Sequence, residues 1–122
     1  MKDNIDVVVK EFEESGALVY DAILSGDYKT NNKEWNKLTR FYKSFEKNLD
    51  FGYSCIDKLL ESNNVVVRTR AAAYCLALSH NVDHAVSVLE EIISNPDNGI
   101  FRFNAEMTLK VWREQGYLKI YQ

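Results

Sequence analysis

The chain has 122 residues, 46% hydrophobic and 27% charged, with two cysteines, five glycines and one proline. That length holds one domain with a core independent of disulfides or metal, and the composition excludes intrinsic disorder. A net charge of −3 argues against general binding to phosphate backbones, which draws on a basic footprint, and the sparse glycine and proline give too little turn punctuation for an all-β domain.

The first helix is predicted from about Asn4 to Ser25, with Ile5, Val8, Val9, Phe12, Val19 and Ile23 on one face and Asp3, Asp6, Glu13 and Asp21 opposite. Gly16 reads as its weak point and Ser25-Gly26-Asp27 as its stop. A second helix, about Thr30 to Leu49, carries Trp35, Leu38, Phe41, Tyr42, Phe45 and Leu49 in one apolar sector, with caps at Thr30 to Asn32 and Gly52 beyond its end. Lys29, Lys33, Lys37, Arg40, Lys43 and Lys47 line its other face as a basic stripe. This stripe is either the solvent face of a helix lying beside the acidic first helix or a surface for acidic partners.

The third helix runs from about Tyr53 to Ser62, and Asn63-Asn64 recaps the chain for an alanine-rich fourth helix, Val65 to about His80. The fifth, Val82 to Asn95, stops before Pro96. The sixth covers Gly99 to Gln115 and ends at Gly116, and the apolar tail Tyr117 to Tyr121 is expected to dock on the last pair.

A shift of 34 residues places Cys55 on Leu89, Leu59 on Ile93, Arg68 on Arg102, Ala71 on Ala105 and Cys75 on Leu109. Two helical hairpins, 53–80 and 82–116, therefore share one plan behind an N-terminal capping pair over 1–50, a period typical of stacked helix pairs. The predicted fold is an all-α superhelix of about six helices in three antiparallel pairs, forming a single domain over 1–122.

The stretch from Leu59 to Ala72 resembles a HEAT repeat, in which a short turn precedes Val-Arg-x-x-Ala-Ala, here Val67-Arg68-Thr69-Arg70-Ala71-Ala72. With Tyr20-Asp21-Ala22, Gly26-Asp27-Tyr28, Asn31-Asn32-Lys33 and Ala105-Glu106-Met107-Thr108-Leu109, the whole chain resembles a family of short bacterial HEAT-like proteins without assigned activity. Members of that family occur beside polymorphic toxins, and related helical proteins serve as immunity proteins in contact-dependent growth inhibition. The resemblance implies a cytoplasmic antitoxin that binds and blocks a cognate toxin domain, often a nuclease.

The chain shows no Ser-His-Asp order, phosphate loop or zinc pattern, so neither catalysis nor a cofactor is predicted. His80 and His84 stand at i, i+4 but across a helix junction, which argues against a metal site. Cys55 and Cys75 read as buried reduced thiols. Arg68 and Arg102 are expected to satisfy carbonyls in the adjoining turns. The charged start and the lack of a long apolar run predict a cytoplasmic protein with no membrane partner.

On the outer side of the fourth helix, Val66, Arg70, Ala73, Tyr74 and Ala77 match Ile100, Asn104, Met107, Thr108 and Val111 of the sixth. They form either a partner face or packing between repeats. For a toxin-binding protein the expected contact residues are Asp21, Asp27, Tyr28, Glu34, Arg70, Tyr74 and Asn104, the acids against a basic surface and Tyr28, Tyr74 and Arg70 as anchors. An adaptor or scaffold is the rival reading, followed by a nucleic-acid-binding repeat protein supported by the lysine stripe alone.

Overall fold

Capping side chains divide the chain into α1 (Lys2–Ser25), α2 (Tyr28–Lys47), α3 (Leu49–Leu59), α4 (Val65–Leu78), α5 (Val82–Ser94) and α6 (Arg102–Gln115), with a 3-10 turn over Pro96–Phe101. These elements belong to a computed structural model that describes residues 2–121, and side chains from Asn4 onward. The expectation for Asp3 thus lies outside the described residues. The fold is all-α, a HEAT-like stack of three antiparallel helix pairs, and no strand occurs among the described residues.

Three of the starts follow from Asx chemistry. Asp27 accepts a hydrogen bond from the Thr30 amide at 3.2 Å, so α2 begins at Tyr28, two residues earlier than the sequence suggested. Asn48 accepts from the Phe51 amide at 3.4 Å and starts α3 directly after α2. Asn64 accepts from the amides of Val66 and Val67 at 2.8 and 3.2 Å. At the other end of the chain Gly99, with φ 55°, interrupts the turn, and the α-helix proper begins only at Arg102.

Two glycines have a different role from the one their positions suggested. Gly52 is no helix stop. It is buried inside α3, where an added Cβ would stand 2.7 to 2.9 Å from the Cβ, carbonyl oxygen and Cα of Phe45. Gly16 weakens α1 by propensity, yet its bare face lets α1 approach α4, since a Cβ there would lie 2.3 Å from Cγ2 of Val67.

α4 is the centre of the molecule. It packs against α1, α3, α5, α6 and the 3-10 turn, and ten of its fourteen residues are buried, which is why its sequence lacks a polar face. Phe12, Leu38, Phe45, Ile56, Val67, Tyr74, Leu89 and Ile92 form the fully buried core around it. Of the positions paired by the 34-residue shift, Cys55 and Leu89, Ala71 and Ala105, and Cys75 and Leu109 are all buried, whereas Leu59 is buried and Ile93 half-buried.

The equivalent arginines differ. Nε of Arg102 donates to the Gly99 carbonyl at 3.2 Å, as expected, whereas Nη2 of Arg68 pairs with Glu91 at 2.8 Å. Glu91 on α5 thus takes up the Arg68 guanidinium in place of a turn carbonyl. The tail docks through Leu118 and Ile120, and Tyr121 reaches back to α2, its hydroxyl on Glu46 and its ring under the Lys43 ammonium at 4.6 Å.

Candidate functional site

The second helices of the three pairs meet near their first turns, where Trp35 of α2, Thr69 and Arg70 of α4, and Phe101 and Asn104 at the start of α6 line one small cavity. Its volume of about 10 Å³ admits roughly one water. The guanidinium of Arg70 lies 4.4 Å over the Trp35 ring and 5.1 Å over that of Tyr74. Its Nε and Nη2 are buried and have no hydrogen-bond partner. Two aromatic faces therefore fix a cation two of whose nitrogens have unused donors, an arrangement suited to an incoming acceptor.

Tyr74 is not an anchor. It is 0% exposed, its ring packs against those of Tyr42 and Phe12 at 4.7 and 5.9 Å, and its hydroxyl donates to the Leu38 carbonyl at 2.9 Å. Burial raises its pKa, opposed by the neighbouring Arg70. Val66 and Ala73 are likewise buried, so along α4 the packing alternative holds and the partner face is closed. Of the corresponding positions in the 3-10 turn and α6, Thr108 and Val111 are half-buried and the other three stay open. Ile100 is 60% and Met107 39% exposed, Phe103 beside them is 64% exposed, and Asn104 is exposed at the cavity rim.

The acidic candidates separate too. Asp21 is exposed on α1. Asp27 is exposed, but its carboxylate caps α2, and the side chain and backbone of Thr30 hold its pKa below the usual carboxylate value. Tyr28, the first residue of α2, is 70% exposed and available.

Glu34 is not a surface charge, because its residue is only 3% exposed. It lies in a groove of about 580 Å³ between α1 and α2, where Val8, Leu18 and Phe41 supply apolar surface, Glu11 and Glu14 stand on α1, and Lys37 and Arg40 stand on α2. Oε1 of Glu34 is buried without a hydrogen bond. The Lys37 ammonium is 3.6 Å from it, within ion-pairing range but too far for a hydrogen bond. Of the basic stripe of α2, Lys37 and Arg40 thus face the groove with acidic α1, Lys43 lies over the Tyr121 ring, and Lys29, Lys33 and Lys47 are exposed.

The two histidines do not converge. His80 stacks on Tyr53 with centroids 3.9 Å apart and meets Asp57 at 2.8 Å, while His84 is exposed in the first turn of α5. Among the described residues no three His, Cys, Asp or Glu side chains are grouped to hold a metal ion. Cys55 and Cys75 are free and buried, and burial pushes their thiols up to about 11 and about 12. Such thiols are poor nucleophiles at neutral pH. No described helix is long and apolar enough to cross a membrane.

Two contributors escaped the sequence reading. Phe103 is apolar on the side of α6 away from Ala105 and Leu109, and an exposed aromatic opposite a core face was the available signal. Trp35 as the platform for Arg70 had none, since the two are 35 residues apart and meet only through packing. Compared with family models, curated proteins and solved structures, the chain matches none.

Proposed function

We propose that the chain is a non-catalytic immunity protein that binds a toxin domain, a nuclease in the first instance, and blocks it by covering its working surface in the cytoplasm. The observation that carries this reading is the open pair Phe103 and Met107 on α6, with exposed Ile100 in the 3-10 turn before it, next to Asn104 and the cavity holding Arg70. Exposed apolar side chains four residues apart on one helix, extended by a third just before it, favour burial against another protein. An arginine and aromatics at their edge supply typical anchors. In this reading Asn104 belongs to the polar rim, Tyr28 adds an exposed aromatic at the start of α2, and Asp21 raises the rate of encounter with a basic partner.

The test is inhibition by the purified protein of any toxin domain encoded in its gene neighbourhood, titrated to stoichiometry. Phe103→Glu and Met107→Glu are each expected to weaken binding by about tenfold or more while leaving the melting temperature near that of the parent. Absence of inhibition at equal concentration overturns the immunity reading. Specific capture of a subunit of another assembly through the same stripe would support the adaptor reading in its place.

A further inference from the structure

The groove between α1 and α2 carries a carboxylate that the fold leaves incompletely satisfied. Glu34 is an acceptor-only side chain, 4% exposed, whose Oε1 accepts no hydrogen bond. Burying such a group costs free energy unless a donor completes it. Lys37 stands 3.6 Å away with a side chain still 43% exposed, so its ammonium is a loose neighbour and not a committed partner. The groove measures about 580 Å³, within the range of ligand-binding clefts.

We infer that this groove is a binding subsite for an arginine side chain of a protein partner, whose guanidinium takes the place of Lys37 on Glu34. The chemistry selects the occupant. A donor must reach a carboxylate recessed below the surface, which requires a long stem with a charged head. The stem would lie on Leu18 and Phe41, and a planar guanidinium both stacks on an aromatic face and donates in a fork to a carboxylate. Glu11 and Glu14 form one wall of the groove, and neither is in an ion pair among the described residues, so the entrance from α1 favours a cation. Arg40 and Lys37 on the opposite wall oppose it, and Lys37 in the resting state acts as an internal stand-in.

This inference rests on the reading of the chain as a protein-binding domain, yet its test needs no toxin. The full chain is titrated with N-acetyl-arginine amide while the methyl signals of Val8 and Leu18 are followed by NMR, with N-acetyl-norleucine amide as the uncharged control. Saturable shifts with the arginine compound, and much smaller ones with the control, are expected. Glu34→Gln is expected to weaken binding about tenfold, and Lys37→Met to tighten it about threefold by removing the stand-in.

Equal shifts with both compounds, or unchanged affinity in Glu34→Gln, would overturn the proposal. Should Glu34→Gln fail to fold, Lys37→Met decides alone, since a purely structural Lys37 predicts no tightening. Failure here with intact toxin inhibition removes the subsite and leaves the proposed function standing. Binding of the arginine compound without toxin inhibition does the reverse.

Discussion

α4 and α6 are second helices of equivalent hairpins, read from the same register 34 residues apart, yet they live in different environments. Ala73 is 4% exposed and its counterpart Met107 39%, and Tyr74 is fully buried where Thr108 is half-buried. The difference comes from neighbours. α4 lies between the N-terminal pair and the following hairpin, whereas α6 packs chiefly on α5 and the 3-10 turn and leaves its outer side open. A repeat position thus fixes which side of a helix faces its own hairpin, and the adjacent repeats decide whether the other side is core or binding surface.

The sharpest test of that contrast is truncation at the matched pair. Tyr74→Ala should lower unfolding free energy by about 3–5 kcal/mol, as large aromatic deletions in a core do, while Thr108→Ala should stay within about 1 kcal/mol. Urea unfolding of the two variants measures both, and equal effects would break the comparison. Next in size is Gly16→Ala, which drives a methyl into Val67 on α4 and should cost about 1–3 kcal/mol by overpacking.

Smaller again is the expected effect of Met107→Glu on stability, within about 0.5 kcal/mol for an open position, as read by thermal melting alongside its binding defect. The thiols give a pH-dependent version of the same contrast. Both folded-state values lie above the ordinary 9.0, about 11 for Cys55 and about 12 for Cys75. The unfolded chain therefore loses these protons first, and their contribution to stability is complete below pH 9.0 and falls as pH rises toward 12. Denaturant titrations across that range should show a declining midpoint that Cys75→Ser reduces, and alkylation at neutral pH should follow unfolding.

The smallest effect belongs to Asp27 at the start of α2. Its folded-state pKa is lowered from 3.8, so the cap stabilises above that value and is lost as pH falls below it. Asp27→Asn, which retains an acceptor, should remove most of that acid sensitivity with little change at neutral pH, as followed by helicity against pH.

Much of the fold was legible because helices are written locally. Periodicity located all six helices, Asn64 announced the start of α4, and the 34-residue register identified Cys55, Ala71 and Cys75 with Leu89, Ala105 and Leu109 as shared core positions. Boundaries at Asp27, Asn48 and Gly99 slipped by a few residues, since several nearby side chains could have capped and only the three-dimensional path selected among them. The site was less legible. Asn104 and Tyr28 are exposed and Arg70 is half-buried, whereas Tyr74 and Glu34 withdrew from the surface.

Sequence by itself determined an all-helical fold of six helices and much of its core, because hydrophobic spacing and capping act within a few turns of chain. Only the tertiary structure decided that α4 is enclosed and α6 open, that Gly16 and Gly52 are points of close approach, and that Glu34 sits at the bottom of a groove. Those outcomes depend on which distant segments cover a surface, and burial is a property of the covering neighbour as much as of the residue itself.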